Sequence, residues 1–265
     1  MKKTLSIAVI IMLMFILTGC RNTKDQNANT TTEKTYTSQS ENTNTNNDNN
    51  TNTKEEENIL EEIDYAKSAE KQMAKPEKGE QIAIFYIKNY GQVKVKFFPE
   101  IAPKAVENFV THAKNGYYND VTFHRVINEF MIQGGDPEGT GRGGESIWGK
   151  GFGTEFGDYS LVPYRGTLCM AMSSAPNSIG SQFFITQANY DKKVEENMLK
   201  QGFPSGVIEQ YKTHGGAMHL YLQYTVFGQV FEGMDIIDKI AVVKTVAGDK
   251  PDVDVIIEKI EITTY

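Results

Sequence analysis

The feature that most constrains this chain is a polar tract from Arg21 to about Asn58 that holds almost no apolar residue. A stretch of Asn, Thr, Ser, Gln, Glu and Lys cannot bury enough surface to offset the conformational entropy lost on ordering. We therefore predict a disordered tether over residues 20–58, in which repeated Asn-Thr pairs reflect composition only. Any hydrophobic core must be built from the residues that follow.

A short apolar segment precedes the tether. Lys2 and Lys3 come first, and the run from Leu5 to Leu17 is almost wholly apolar. This run is shorter than the roughly 20 residues of a membrane-spanning helix. Its end, Leu17-Thr18-Gly19-Cys20, resembles the lipobox of bacterial lipoproteins. That resemblance implies a signal peptide over residues 1–19, lipid on Cys20, and a lipid-anchored chain on the extracytoplasmic face of the cell membrane. The alternative is a simple N-terminal anchor with an incidental cysteine.

Charge and cysteine content exclude two classes of protein. The formal net charge is −7, so the chain lacks the basic balance of a nucleic-acid binder. Two cysteines, Cys20 and Cys169, are too few for a disulfide-stapled scaffold. Cys169 lies in an apolar run and is expected to be a small buried residue. His214 and His219 have no neighbouring ligand cluster, so no metal site is expected.

Apolar periodicity after the tether predicts a short lead-in over residues 59–79. Ile59, Leu60 and Ile63 recur among Glu and Lys residues, which indicates an amphipathic helix from about 55 to 74. Two alternatives stay open for this helix: it packs on the domain that follows, or it remains loose.

Short apolar runs between turn residues then predict strands. Val93, Val95 and Phe97 alternate with polar residues, which indicates a strand with one buried face. Helical spacing is found at residues 102–115 and 233–241. The strands are expected near 81–87, 92–98, 121–125, 130–133, 167–171, 182–186, 225–230 and 255–263. Many short strands with two helices predict an all-β barrel or sandwich.

Three segments, in this order, resemble the signature of the cyclophilins: Phe123–Asp136 (FHRVINEFMIQGGD), Met170–Ile185 (MAMSSAPNSIGSQFFI) and Tyr224–Met234 (YTVFGQVFEGM). The resemblance implies an all-β fold over residues 80–264, an eight-stranded antiparallel barrel capped by two helices. It also implies peptidyl-prolyl cis/trans isomerase activity without cofactor or metal.

The chemistry of that reaction needs few groups. The peptide C–N bond has partial double-bond character and a rotation barrier of ~18–20 kcal/mol. In the twisted amide the prolyl nitrogen regains a lone pair, which a fixed cationic donor stabilises. Arg125 matches the family's catalytic arginine. His124, its neighbour, invites a general-base interpretation, but it should point to the opposite face, which favours a structural role.

The resemblance also assigns substrate-binding positions. Phe130, Met131 and Phe184 match the pocket for the proline ring. Met131 and Phe184 could instead belong to the core, but the resemblance favours the pocket. Gln133 matches the residue that binds substrate backbone and positions the arginine. The full set comprises Phe130, Met131, Gln133, Ala171, Met172, Gln182, Phe184, His219, Leu220 and Tyr224.

Some of these positions depart from the family pattern. Met172 stands where Asn or Arg is common, which puts its side-chain contacts in doubt. The connection over about 190–223 is enlarged and is expected to be a partly helical insertion. It places His219 on the pocket rim and Leu220 in the wall, with Tyr224 just beyond. Two hypotheses remain for the insertion: it selects substrates, or it decorates the surface.

The expected function is that of a monomeric foldase acting on proline-containing segments of exported proteins. The alternative is a peptide-binding chaperone or scaffold with incidental turnover. Retention of Arg125 favours the enzyme, since a pure binding module could lose it. A solute-binding lipoprotein would share the anchor but lack the three segments.

Overall fold

The computed structural model describes residues 59–60 and 62–265. The predicted signal peptide and the whole predicted tether over 20–58, including the lipidation residue Cys20, lie outside the described residues. In the described part, no helix is both long and apolar enough to cross a membrane.

The first two strands of the domain form a hairpin, as the alternating pattern predicts. Val93 and Val95 are fully buried in β2, whereas Gly91 at its start is exposed and has a positive φ that suits the turn. Nine antiparallel strands form one sheet in the order β3-β11-β1-β2-β8-β6-β7-β5-β4. Their bounds are β1 Gln81–Ile87, β2 Gly91–Phe97, β3 Val121–Thr122, β4 Arg125–Ile127, β5 Met131–Gly134, β6 Thr167–Met170, β7 Phe183–Thr186, β8 Val226–Glu232 and β11 Ile256–Thr264. Strands β9 Thr245–Val246 and β10 Lys250–Pro251 form a separate ribbon.

The two edges of the sheet are consecutive pieces of one segment. Strand β3 pairs with β11 at one edge, and β4 pairs with β5 at the other, yet only Phe123 and His124 separate them. The chain therefore joins the edges and wraps the sheet around its core. Counting β3 and β4 as one bent strand turns nine strands into eight, and the predicted eight-stranded antiparallel barrel is confirmed.

Two helices cap the barrel, also as predicted. Helix α2 (Pro103–Lys114) starts with proline, and the Glu155 carboxylate accepts from the backbone N–H groups of Lys104 at 3.1 Å and Ala105 at 2.9 Å. Helix α5 (Met234–Ala241) buries Ile237 and Ile240. The Phe109 ring of α2 lies 5.1 to 5.9 Å from five aromatic rings, those of Phe85, Phe97, Tyr118, Phe183 and Phe227.

The insertion is partly helical, as expected. It contains α3 (Lys192–Gln201), α4 (Ser205–His214) and a 3₁₀ turn (Met218–Leu220). Gly202, at φ +74°, ends α3 in the left-handed conformation that glycine adopts without strain.

The lead-in helix, α1 (Tyr65–Met73), is shorter than predicted and packs on the domain. Asp64 interrupts the expected helix because its carboxylate accepts from the Lys67 N–H at 3.1 Å and starts a new one. The buried Gln72 side chain donates to the Val162 carbonyl at 2.7 Å and accepts from the Val162 N–H at 3.2 Å. The Gln72 side chain thus takes the place of a neighbouring strand for the Val162 backbone. Of the two alternatives for this helix, packing on the domain is the observed one.

We expect Gln72→Ala to lower the free energy of unfolding by about 1–3 kcal/mol, since both polar backbone groups of Val162 lose a buried partner. Urea denaturation measures the effect. Lys71→Ala, on the exposed side of the same helix, removes only a surface ion pair with Glu100 and should change little. Equal losses in the two variants would contradict this account of Gln72.

Candidate active site

A row of side chains crosses four adjacent strands on the face of the sheet opposite the main core. Arg125 of β4 pairs with Gln133 of β5, Gln133 with Phe184 of β7, and Phe184 with Cys169 of β6. Residues directly opposite on neighbouring strands project to the same face. Their neighbours along the strands belong to the main core: Val126, Ile132, Ile185 and Leu168. Arg125 therefore shares a face with the predicted proline pocket.

A small hydrophobic cluster, here called the pocket cluster, covers this face. It is separate from the main core, which favours the pocket interpretation of Met131 and Phe184. Six of the predicted binding residues meet there: Phe130, Met131, Ala171, Phe184, Leu220 and Tyr224. The rings of Phe184 and Tyr224 pack edge to face with centroids 5.5 Å apart. Five members had no predicted role in the pocket, namely Ile127, Leu161, Cys169, Ala217 and Val226.

The residues of the pocket cluster differ in accessibility. Met131 is 2% exposed and Phe184 is 5% exposed, so they form its floor. Phe130 is half-buried, and the ring of exposed His219 lies 5.0 Å from it. Desolvation lowers the pKa of His219, so its imidazole is neutral at pH 7. A proline ring approaching from solvent would meet an apolar, uncharged rim.

Amide groups order the groove beside the pocket. The Gln133 side chain donates to the Gln182 side-chain oxygen at 2.9 Å, and Gln182 donates to the Gly143 carbonyl at 2.8 Å. The Ala171 N–H donates to the Gln182 backbone carbonyl at 2.9 Å. Met172, two residues beyond the end of β6, is 37% exposed. All ten predicted binding positions therefore lie in the pocket cluster or along its borders.

Arg125 has an ionic partner that sequence reasoning missed. Its Nε donates to the Asp249 carboxylate at 3.3 Å, and both side chains are about half exposed. Asp249 adopts φ +60° in the turn between β9 and β10, and its carbonyl accepts from the Val126 N–H at 2.8 Å. The contact uses the inner edge of the guanidinium, so the terminal Nη groups can donate elsewhere. No local pattern marks an aspartate 124 positions away in the sequence.

Asp136 organises the Gly-rich loop beside the groove, a second role that the sequence did not reveal. Its fully buried carboxylate accepts from the backbone N–H groups of Glu138, Thr140, Gly141 and Gly143 at 2.7 to 3.1 Å. Burial by itself raises the pKa of this carboxyl, but the hydrogen bonds outweigh it and hold the pKa below its usual value. The loop so ordered presents the Gly143 carbonyl to Gln182.

His124 is buried beside the row but takes no part in it. Within the described residues neither ring nitrogen has a hydrogen-bond partner. Desolvation lowers the pKa of His124, which keeps the ring neutral. The structural role expected for this residue stays a prediction, since a neutral ring could also accept a proton.

Asp136→Asn should cost stability in a pH-dependent manner. Because the folded pKa of Asp136 lies below the unfolded value of about 3.9, its charged form stabilises the fold above about pH 4, and this contribution fades as pH falls through the folded pKa. Urea denaturation at pH 7 and pH 3 should show a variant deficit at pH 7 that shrinks at pH 3. Asp158→Asn, in an exposed loop, is the control, and a deficit independent of pH would contradict the assignment.

Comparison with known proteins agrees with this geometry. The sequence profile described as "Cyclophilin type peptidyl-prolyl cis-trans isomerase/CLD" matches residues 82–262. A protein of Staphylococcus epidermidis named "Putative peptidyl-prolyl cis-trans isomerase" is 50% identical over 195 residues, which cover 72% of this chain and 96% of the relative. A Staphylococcus saprophyticus protein of the same name is 50% identical over 188 residues, covering 69% and 93%.

Solved structures give the same result. A crystal structure of a cyclophilin-type peptidyl-prolyl cis-trans isomerase from Cryptosporidium parvum, in the presence of the dipeptide Ala-Pro, is 33% identical with a TM-score of 0.56. The match covers 69% of this chain and 99% of the Cryptosporidium parvum chain. The profile, the relatives and the barrel agree, and the chain belongs to the cyclophilin family of peptidyl-prolyl cis-trans isomerases.

Proposed function

We propose that this isomerase accelerates the folding of exported proteins by stabilising the twisted X-Pro amide with the Arg125 guanidinium. One observation supports this proposal above the others: the strand register puts Arg125 on the same face as the pocket cluster, in line with Gln133 and Phe184. A proline ring seated on that cluster brings its nitrogen toward the guanidinium.

The mechanism needs the charge and the pocket together. The barrier of ~18–20 kcal/mol arises from conjugation of the prolyl nitrogen with the carbonyl, and that conjugation is lost in the twisted form. A donor aimed at the nitrogen binds the twisted amide better than either planar form, which raises the rate. The pocket holds the ring while the preceding carbonyl turns, and no covalent bond is made or broken.

The substrate is a proline-containing peptide. The related Cryptosporidium parvum crystal structure was determined in the presence of Ala-Pro. In this chain the half-buried Phe130 and the wall residue Leu220 belong to the pocket cluster, an apolar surface on which a pyrrolidine ring can pack. Beside it the Ala171 N–H donates to the Gln182 carbonyl, which continues the β6–β7 pairing to the groove where a peptide backbone would lie.

Action outside the cytoplasm is the second part of the proposal. Its support is the Leu17-Thr18-Gly19-Cys20 sequence and the polar composition that follows it. The tether predicted over 20–58 would have a root-mean-square reach of about 35 Å, from ~5–6 Å times the square root of its length. Such a tether lets a lipid-anchored domain meet polypeptides as they emerge from the membrane.

Arg125→Ala should lower kcat/KM on an Ala-Pro peptide by about 10²-fold or more, because one charge-assisted donor to the transition state is lost. The assay uses the full chain, and circular dichroism checks the fold. Arg125→Lys keeps the charge but not the planar fork and should recover only part of the rate. Lys259→Ala, an exposed cation on β11, is the control and should match wild type. Equal rates for wild type and Arg125→Ala would exclude the mechanism and favour the binding chaperone.

Cys20→Ser should release the protein from the membrane fraction of a bacterial host, since the lipid acceptor is gone. Fractionation followed by immunoblotting measures this. Cys169→Ser is the matched control, because Cys169 is buried and burial raises the pKa of its thiol, which leaves it unreactive. Retention of both variants at the membrane would favour the simple N-terminal anchor.

A further inference from the structure

A second hydrophobic core lies beside the barrel and joins three distant parts of the chain. We call it the support cluster. Helix α1 contributes Tyr65 and Ala69, the insertion contributes helices α3 and α4, and the segment before β6 contributes two residues. Its buried members are Tyr65, Ala69, Val162, Tyr164, Met198, Val207, Ile208, Tyr211, Met218 and Tyr221. Helix α1 precedes the residues 82–262 that match the cyclophilin profile, so its contribution to this core lies outside the matched region.

The 3₁₀ turn Met218–Leu220 connects the support cluster to the pocket cluster. Met218 and the following Tyr221 are buried in the support cluster. Ala217 and Leu220, which alternate with them, are buried in the pocket cluster. His219 lies between them against Phe130. One short turn thus packs on both sides, and the position of the pocket rim depends on the support cluster.

Tyr65 of α1 makes the most direct contact with this turn. Its hydroxyl lies 3.1 Å from the Tyr221 hydroxyl, and the Tyr221 hydroxyl lies 3.3 Å from the Tyr159 carbonyl. The other side of the Tyr65 ring packs on Gly206 of α4, where an added Cβ would come within 2.8 Å of the ring. Tyr65 is only 4% exposed, so it fills the space between the insertion and the turn.

The backbone entering the turn is tied to the barrel. The Ala217 N–H donates to the Pro163 carbonyl at 2.9 Å, and the Gly216 N–H donates to the Ala188 carbonyl at 3.0 Å. Gly216 has φ +117°, and an added Cβ would lie 2.3 Å from the Pro163 carbonyl oxygen. Hydrogen bonds to distant segments therefore fix the start of the turn. At its far end the backbone hydrogen bonds are local, and the Tyr221 side chain contacts Tyr65 of α1 and the Tyr159 carbonyl.

We propose that helix α1 positions the substrate-binding rim of the active site, with Tyr65 as the positioning residue that acts through Tyr221 on His219 and Leu220. The inference rests on the proposed function, since it concerns the rim of the same pocket. It makes α1 part of the enzyme and not the end of the tether. Of the two hypotheses for the insertion, this proposal favours substrate contact over surface decoration.

The test measures KM and kcat of full-length variants on a peptide that contains an Ala-Pro bond. Tyr65→Ala should raise KM on the order of fivefold and leave kcat within about twofold, because the rim binds substrate and Arg125 does not move. Tyr65→Phe keeps the ring but loses the hydroxyl contact with Tyr221, so its KM should lie between those of Tyr65→Ala and wild type. Ile240→Ala is the control for lost stability: it lies in the main core and should leave KM unchanged.

A spectroscopic measurement separates positioning from turnover. The chain has four histidines, so the imidazole signal of His219 can be assigned by comparison with His219→Gln. It should shift in Tyr65→Ala and stay in place in Ile240→Ala. If Tyr65→Ala does not fold, Gly206→Ala replaces it, because the added methyl displaces the Tyr65 ring without removing it.

The outcomes distinguish the two proposals. An unchanged KM and an unmoved His219 signal in Tyr65→Ala, or in Gly206→Ala where that variant replaces it, would overturn the role of α1. An equal rise of KM in Ile240→Ala would also overturn it. Failure of Arg125→Ala to slow the reaction would overturn the catalytic mechanism and leave the His219 measurement valid.

Discussion

The backbone hydrogen bonds between β4, β5 and β7 are the constraint on which the active site depends. They set Arg125 opposite Gln133 and Gln133 opposite Phe184. Because side chains alternate along a strand, a slip of one residue would turn Arg125 into the main core and Val126 out to solvent. The buried faces of Val126 and Ile132 prevent that slip, since they lose their packing if the register changes. Hydrophobic burial on one face thus positions a charge on the other.

The separation of two hydrophobic clusters makes this arrangement compatible with function. The main core is built around Phe109 and the rings it touches, and it stabilises the barrel without help from the pocket. The pocket cluster can therefore keep Phe130 and Tyr224 partly open to solvent at small cost to the fold. A surface that binds proline needs accessible apolar side chains, and these must be side chains that the main core does not require for stability.

Polar groups around the pocket hold it in shape before substrate arrives. Asp136 orders the loop that reaches Gln182, and Gln182 in turn holds Gln133. Asp249 engages one edge of the Arg125 guanidinium. Groups that are already oriented cost no reorganisation at the moment the amide twists, which is the source of most electrostatic catalysis. The additions outside the barrel extend the same principle to the rim, through Tyr65 and Tyr221.

The sequence by itself determined the local features of this protein: the polar tract, the alternating strands, the helices at 103–114 and 234–241, and the motif that contains Arg125 and Phe130. Each depends on residues close together in the chain, so periodicity and composition reveal it. Only the tertiary structure placed Asp249 on Arg125 and Tyr65 on Tyr221, and showed that Gln72 replaces a strand partner. These contacts join residues up to 156 positions apart, and no local pattern records such a contact because packing of the whole domain creates it.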